Sequence, residues 1–570
     1  MKQAGLRSGL MLAMNWILLL LPSLALAFGG GGAKLGPWIP AYSLLLSIMT
    51  LLLAVPLVRS WCALFLIHLP FLCLSPVFVW YVFNFSAPPD ENAFAVLLTS
   101  SIDEFAGFVD IFHLQLPLWA SIGALGLYLV NALGLRGHMI SFRLRRAVLW
   151  LAPPTLVFIL CMPTKTPNGL AVDMGENMRE FLTSSYPLGG GISLIGGVQG
   201  NAEAFGLFDH KEKYNAHLNF SDDGPRTHIL VIGESARADH FHLLGYPRQT
   251  TPELERVDSL LSFTKTFSTA NLTSLAVPML ITGSAPASYS PRTIRGNLVD
   301  LANEAGYFTA WLSNQGLSLY KIFHPQPQVW RQPVDVTNWG GDHATPDDLL
   351  LAPLDEMLER SSTRKFIVVH TYGSHLAYPQ RLPDDGFHFS GRDRQSVSAA
   401  IQADKSGYAA VDAYDDTILH TDFVLNQIIQ RASLLPGEVT VTYIPDHGEA
   451  LQAVEGHATH GFKDFTVSEL HIPLLFWANA AFRTVHAEQW QAMQSHKDLV
   501  VSQDAVFYTA ASLLGIEFTA QDPSRDLTSK AFRPIPIRQL QFRTGGDAQT
   551  RRLQEALDWR QACKRLDACE

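Results

Sequence analysis

Five apolar stretches crowd the first 165 residues of this 570-residue chain, and they constrain its fold more than any other feature. They run over about 9–28, 41–58, 61–83, 116–135 and 147–163. A helix that crosses a bilayer needs roughly 20 apolar residues, and most of these stretches are long enough. The sequence therefore predicts an α-helical membrane bundle of five spans over 1–165.

The loops between these stretches predict the orientation of the bundle. Basic residues lie at the N-terminus, in the second loop and in the fourth loop, which carries Arg143, Arg145 and Arg146. The third loop, roughly 84–115, has no Lys or Arg and is rich in acidic residues. Since basic loops stay cytoplasmic, we expect a cytoplasmic N-terminus and everything after residue 165 outside. The third loop is also apolar, which favours an interfacial amphipathic helix at the outer surface over a solvated connector.

The first stretch also has features of a signal peptide. Lys2 and Arg7 precede it, and Ala25-Leu26-Ala27 resembles a cleavage site. Four further apolar stretches follow it, which favours an uncleaved first span.

The remainder of the chain has the composition of a soluble domain. Only 16% of all residues are charged, against about 25% in typical soluble domains, and the apolar excess lies before residue 165. We expect a Gly- and Pro-rich linker over 166–226, a folded domain outside the membrane over 227–545 and a C-terminal tail over 546–570. The net charge of −10, with no basic stripe, argues against nucleic-acid binding.

Short apolar, β-branched runs alternate with helical patterns in the predicted domain. The runs lie at 228–232, 308–312, 366–369, 439–444 and 473–477, and helical patterns cover 408–431 and 504–514. Continuous apolar runs are typical of strands buried on both faces of a parallel sheet. Their alternation with helices predicts an α/β domain with a largely parallel sheet sandwiched by helices.

Acidic and imidazole side chains follow several of these runs. Glu234 follows the first run, and Asp446 follows the fourth. The carboxyl ends of strands carry the ligand site in open α/β sheets, so these groups are expected at one edge. Carboxylates with imidazoles suit Zn²⁺ or a similar divalent ion. The histidines that follow the runs are His370, His375, His447 and His460.

The segment 267–278 supplies hydroxyl groups with no charged neighbour. An alcohol is a weak nucleophile until a base or a metal activates it, and Thr273 and Ser274 are the candidates. The same segment also fits an ordinary helix N-terminus, and spacing alone leaves both interpretations open.

Four motifs together resemble the phosphoethanolamine transferases of Gram-negative inner membranes, within the alkaline phosphatase/sulfatase superfamily. These are Gly233-Glu-Ser-Ala-Arg-Ala-Asp-His240, Gly245-Tyr-Pro-Arg-Gln-Thr-Thr-Pro252, Thr273-Ser-Leu-Ala-Val-Pro278 and Asp446-His-Gly-Glu449. The resemblance covers essentially the whole chain, because five spans and a periplasmic domain are also the plan of that family.

The resemblance implies a zinc centre and a covalent carrier. The residues that match the family's zinc ligands, for one ion or two, are Glu234, Thr273, Asp446 and His447. Thr273 also matches the threonine that accepts phosphoethanolamine. His375 and His460 match the histidines that hold the phosphoryl oxygens or a second zinc. Less direct matches place Ser100 and Glu104 at the lipid headgroup. Lys321 is a further substrate-binding candidate, close to but displaced from the position of the family's lysine near the phosphate.

The chain departs from the lipid A members of that family in its cysteines. Asn271, Leu272 and Met279 stand where those enzymes carry cysteines around the threonine, and no cysteine lies between Cys161 and Cys563. Cys563 and Cys569 would form a local disulfide in an oxidising compartment and would otherwise be two thiols on the tail.

The resemblance implies a monomeric, multi-pass inner-membrane enzyme that takes phosphoethanolamine from phosphatidylethanolamine. The acceptor would be an envelope glycan or glycolipid, and lipid A, Kdo, a core heptose and a periplasmic glucan all stay open. The alternative is a phosphoglycerol transferase of the same superfamily that uses phosphatidylglycerol, usually with manganese. A sulfatase is disfavoured because the Cys/Ser-x-Pro-x-Arg motif is absent around Thr273. A scaffold with an inactive enzyme domain is disfavoured because every expected ligand is present.

Overall fold

The computed structural model divides the chain into two compact units, 1–100 with 105–201 and 101–104 with 202–570. The structure describes residues 2–28, 39–85, 89, 115–161, 186, 190–191, 194–195, 213–220, 224–290, 296–315, 326–332, 346–376, 378–383, 405–455, 459–462, 464–545 and 550–566.

Five helices of the first unit lie on the five apolar stretches. They are α1 (Lys2–Phe28), α2 (Ile39–Leu52), α3 (Trp61–Phe85), α4 (Gln115–Gly134) and α5 (Phe142–Cys161). Among the described residues, one segment, Leu6–Ala27, is by itself long and apolar enough to cross a membrane. Shorter apolar segments lie at Ser43–Leu57, Trp61–Cys73 and Trp119–Gly134. The count of five spans therefore stays a prediction, and the third loop lies almost entirely outside the described residues.

The helices of the first unit pack through apolar and hydrogen-bonded contacts. Leu19, Phe65 and Tyr128 share one buried cluster, and the Tyr128 hydroxyl donates to the Phe65 carbonyl at 2.8 Å. The Asn131 amide donates to Asn15 Oδ1 at 3.2 Å, so buried polar groups are paired across helices. The outward side chains are apolar, with 64–71% exposure at Trp119, Val130, Trp150 and Leu151.

The described residues of the second unit form an eight-stranded sheet and two small two-stranded ribbons. The strands are β1 (His217–Leu218), β2 (Arg226–Gly233), β3 (Leu260–Phe267), β4 (Phe308–Ser313), β5 (Val329–Arg331), β6 (Arg364–His370), β7 (Glu438–Pro445), β8 (His471–Ala478), β9 (Val500–Ser502), β10 (Ile516–Glu517), β11 (Gln541–Arg543) and β12 (Thr550–Arg552). The helices are α6 (Thr273–Thr282), α7 (Leu298–Glu304), α8 (Leu351–Leu358), α9 (Lys405–Ser433), α10 (Gln452–Glu455), α11 (Ala480–Val485), α12 (Ala487–His496), α13 (Ala505–Leu513) and α14 (Trp559–Arg565).

The main sheet is parallel except for one strand. Its order is β5-β4-β6-β2-β7-β8-β3-β9, and only β8 runs against the others. Strand β2 lies at the centre between β6 and β7, with Ile232 opposite His370 and Gly233 opposite Pro445. The carboxyl ends of these three strands therefore meet at one edge.

Alternate residues of each central strand enter two separate cores. Leu230 and Ile232 pack on one face with residues of α6, α7 and α13, whereas Ile229 and Val231 pack on the other with residues of α8 and α9. All four side chains are buried, which explains why the strand is continuously apolar over 229–232. The prediction of a largely parallel sheet sandwiched by helices is confirmed.

The C-terminal segment packs against the domain. Strand β12 pairs antiparallel with β11. Ala562 of the last helix and Leu566, which follows that helix, join a buried cluster with Phe267 and Phe542. Cys563 is disulfide-bonded. Its predicted partner, Cys569, lies outside the described residues.

Candidate active site

Two neighbouring strands carry the acidic groups to one place. Glu234 follows β2 directly, and Asp446 and His447 follow β7. The Asp446 amide donates to the Gly233 carbonyl at 3.1 Å, which continues the β2–β7 pairing past the end of the strands. The side chains predicted from separate segments are therefore adjacent in space.

Thr273 lies at this edge because hydrogen bonds connect its loop to the end of strand β7. Thr273 is the first residue of α6 and follows the loop that leaves β3. The amide nitrogen of the Gln503 side chain donates to the Asp446 carbonyl at 2.7 Å, and its oxygen accepts from Thr269 Oγ1 at 2.8 Å. Gln503 thus links the hydroxyl-bearing loop to the acidic residues, and the Ser268 hydroxyl of the same loop also donates to the Asp446 carbonyl.

Thr273 Oγ1 lies 3.2 Å from Glu234 Oε2 and 3.2 Å from His447 Nε2. His447 Nε2 in turn lies 3.3 Å from Asp446 Oδ2. The four residues are buried, and Thr273 is the most exposed at 7%. His447 Nδ1 lies 2.8 Å from the Gly448 carbonyl, which can only accept, so Nδ1 carries the proton of the neutral ring. The lone pair of Nε2 therefore faces the two carboxylates.

The convergence of these groups leaves too few protons for the acceptors. One hydroxyl proton of Thr273 faces a carboxylate and an imidazole lone pair, while Asp446 Oδ2 is buried and meets no hydrogen-bond donor among the described residues. An unpaired buried carboxylate oxygen is costly unless a cation meets it. Carboxylate, imidazole and alcohol donors suit Zn²⁺, so these residues fit the predicted metal.

Burial shifts both titratable partners of Thr273. Removal from water, followed by the nearby charge of Asp446, raises the pKa of Glu234 well above its usual value. Removal from water lowers the pKa of His447 to about 4, so its ring is neutral at physiological pH. A neutral imidazole is the form that binds a metal.

A second group of possible ligands shares Glu234. Its other members are His375 and His460, and the ligand atoms of all three lie within 4.8 Å of one another. His460 Nδ1 lies 3.0 Å from Glu449 Oε2, and this buried carboxylate orients the ring. Burial, then the charge of Arg381, lowers the pKa of His375 well below its usual value.

The sequence did not reveal several side chains that support the site. Ser235 Oγ donates to Glu234 Oε1 at 2.8 Å, and Gln315 Nε2 donates to Glu234 Oε2 at 2.9 Å. Gln315 lies two residues after β4, at the same edge of the sheet. This position after a strand is the one feature of the sequence that could have indicated its supporting role. Ser235 and Glu449 lie inside the recognised motifs, but the motifs do not indicate that these two side chains bond to the candidate ligands.

Some sequence-predicted residues lie elsewhere. His370 belongs to neither ligand group; its ring packs edge-on against Trp311 at 5.7 Å between centroids, and burial lowers its pKa to about 4. The substrate-binding candidates Ser100, Glu104 and Lys321 lie outside the described residues.

The fold and the site define an α/β protein with a candidate metal centre of carboxylate, imidazole and alcohol groups at the carboxyl edge of its sheet. The chain belongs to the sulfatase family, whose model matches residues 226–516.

Among curated proteins, the chain is similar to enzymes named phosphoethanolamine transferase. It is 26% identical over 329 residues to phosphoethanolamine transferase EptC of Escherichia coli, and the match covers 55% of this chain and 56% of the relative. It is 26% identical over 328 residues to EptA of Salmonella typhimurium, covering 55% of this chain and 58% of the relative. The chain therefore spans just over half the length of the curated relatives it matches. The resemblance drawn from the four motifs is confirmed.

Solved structures share the fold. The integral membrane lipooligosaccharide phosphoethanolamine transferase A from Neisseria meningitidis is 20% identical with a TM-score of 0.71, over 90% of this chain and 97% of that one. The C-terminal periplasmic domain of EptC from Escherichia coli, in complex with Zn, is 22% identical with a TM-score of 0.55 and covers 61% of this chain and 98% of that one.

Proposed function

We propose that this protein transfers phosphoethanolamine from phosphatidylethanolamine to an envelope glycan or glycolipid, in a zinc-dependent reaction through Thr273. The observation that carries the proposal is the Thr273 hydroxyl, held 3.2 Å from both a carboxylate and an unprotonated imidazole nitrogen in a buried, proton-poor cluster. The names of the curated relatives support the substrate class.

The reaction is a double displacement. In the first step, Thr273 Oγ forms a bond to phosphorus, the bond from phosphorus to the glycerol oxygen breaks, and diacylglycerol leaves with a proton. In the second step, an acceptor hydroxyl or phosphate oxygen attacks the phosphorus, and Thr273 regains a proton as its bond to phosphorus breaks. A bound Zn²⁺ would act as a Lewis acid and lower the pKa of the alcohol.

The surrounding residues divide the remaining tasks. Glu234, Asp446 and His447 would hold the ion, and the Glu234 carboxylate accepts the hydrogen bond of the Thr273 hydroxyl before attack. His375 and His460 line the adjacent space, where they would offset charge on the phosphoryl oxygens or hold a second ion.

The proposed setting is the Gram-negative inner membrane, with five spans, a cytoplasmic N-terminus and a periplasmic catalytic domain. The five apolar helices, the apolar exterior of the first unit and the alternation of basic and acidic loops support it. A disulfide at Cys563 fits an oxidising compartment. Membrane anchoring suits a donor that is itself a bilayer lipid.

A donor comparison tests the function. The full-length protein in nanodiscs of phosphatidylethanolamine or of phosphatidylglycerol, with Zn²⁺ or Mn²⁺ supplied, should release diacylglycerol from phosphatidylethanolamine with Zn²⁺. Release from phosphatidylglycerol alone, with Mn²⁺, would instead establish the phosphoglycerol transferase.

A further inference from the structure

Ser235 holds a backbone conformation that a serine rarely adopts. Its φ is +54°, in the left-handed region, and its side chain is fully buried. Such conformations are costly for residues other than glycine and persist only where the surroundings enforce them. Here the residue directly follows Glu234, a proposed metal ligand.

Tyr414 enforces that conformation. The hydroxyl of this fully buried tyrosine donates to the Ser235 carbonyl at 2.7 Å and accepts from the Arg237 amide at 2.9 Å. Both ends of the turn are therefore fixed to helix α9.

The left-handed turn lets one residue contact both carboxylates of the metal cluster. The Ser235 amide donates to Asp446 Oδ1 at 3.1 Å, and the Ser235 hydroxyl donates to Glu234 Oε1 at 2.8 Å. The His447 amide also donates to Asp446 Oδ1, at 2.7 Å. Protein donors thus occupy Oδ1, whereas the buried Oδ2 meets no donor among the described residues and is the oxygen left for a cation.

We propose that Ser235 is a positioning residue for the metal centre. Its hydroxyl orients the Glu234 carboxylate, and its strained backbone places an amide that selects which oxygen of Asp446 meets the ion. This role rests on the proposed function in that it presumes the zinc centre, but it does not depend on the identity of the lipid donor.

Two substitutions separate the hydroxyl from the strained backbone. Ser235→Ala removes the hydroxyl and keeps the strain, whereas Ser235→Gly removes the hydroxyl and relieves the strain; both keep the amide. In the full-length protein in detergent, zinc affinity is measured by competition with a chromophoric chelator, and the Co²⁺ absorption spectrum reports ligand geometry. Loss of a group that orients a metal ligand typically weakens affinity by about 10–100-fold, and we expect both variants to fall in that range.

Ser512→Ala is the matched control, because Ser512 also donates from a largely buried position to a buried carboxylate, Asp526 Oδ2, at 2.6 Å. It should keep wild-type zinc affinity. The melting temperature of each apo protein checks folding, and the Gly variant should melt no lower than the Ala variant.

Wild-type zinc affinity and an unchanged Co²⁺ spectrum in Ser235→Gly would overturn the role of the hydroxyl, even if the Ser235→Ala variant binds zinc weakly. A wild-type protein that binds no zinc would overturn this role and the zinc-dependent function together. A wild-type protein that binds zinc but transfers no phosphoethanolamine would refute the proposed function alone, while weakened binding in both Ser235 variants would still support the positioning role.

Discussion

At the scale of single residues, Thr273 and Ser274 are chemically similar neighbours with different surroundings. Thr273 Oγ1 contacts Glu234 and His447, whereas Ser274 has no described hydrogen bond to either. The helix start at Thr273 explains the difference, because consecutive helical side chains point about 100° apart.

This difference predicts the outcome of three substitutions. Thr273→Ala should abolish transfer, by on the order of 10⁴-fold or more, because no positioned nucleophile remains. Thr273→Ser should retain measurable activity, since the alcohol survives, and Ser274→Ala should stay close to wild type. The activity of all three variants is measured as the rate of diacylglycerol release from phosphatidylethanolamine. A near wild-type rate in Thr273→Ala would refute the assignment of Thr273 as the nucleophile.

Asp446 gives a second prediction at this scale. Asp446→Asn keeps the shape of the side chain but replaces its charge, and an amide can present an N–H towards the ion. Loss of a group that only orients a metal ligand weakens metal affinity by about 10–100-fold. Because Asp446 is itself a proposed ligand, we expect the zinc affinity of Asp446→Asn to fall by more than this, and its activity to fall as well. Elemental analysis after dialysis measures the metal content. Full activity of a zinc-free wild-type protein would contradict this account.

At the scale of elements, the loop after β6 contacts the backbone of Glu234 and fixes its position. The Asp347 carboxylate accepts from the amides of Tyr372 and Gly373, both at 2.8 Å, and the Ser374 amide donates to the Glu234 carbonyl at 2.9 Å. Gly373 has a φ of +46°, and a Cβ on it would lie 2.7 Å from the Glu234 carbonyl oxygen. Only glycine fits there.

Gly373→Ala should therefore displace Glu234 and lower both zinc affinity and activity. Gly306→Ala is the matched control: its φ of +83° imposes similar backbone strain, but its Cβ would meet no atom of the described residues within 4 Å. The control should lose about 1–2 kcal/mol of stability and keep its zinc affinity. Equal zinc affinities of the two variants would show that the close approach to Glu234 is unimportant.

The same elements show which features of the site the sequence predicts and which it does not. Strands β2 and β7 were predictable because burial on both faces favours continuous runs of apolar and β-branched residues, and the ligands at their ends followed from the direction of parallel strands. The support from Gln503 was not predictable, because it bonds to residues about 60 and 230 positions away. The role of Ser235 depends on a left-handed φ that no pattern of residue types encodes.

At the scale of the whole molecule, topology follows from the charges of the loops. Alkaline phosphatase fused after residue 226 should be active, because that position is proposed to be periplasmic. A fusion near Arg143, in the basic fourth loop, should be inactive. The reverse pattern of activities would overturn the proposed localisation and, with it, the oxidising environment inferred for Cys563.

The central claim is a covalent phosphoethanolamine on Thr273, and mass analysis of the trapped enzyme tests it most directly. The full-length protein is incubated with phosphatidylethanolamine without acceptor, quenched in acid and analysed intact and after proteolysis. We expect a phosphoethanolamine adduct on the peptide that contains Thr273, located on that residue by fragmentation and absent from Thr273→Ala. An adduct on Ser274, or active transfer with no adduct on either residue, would contradict the account.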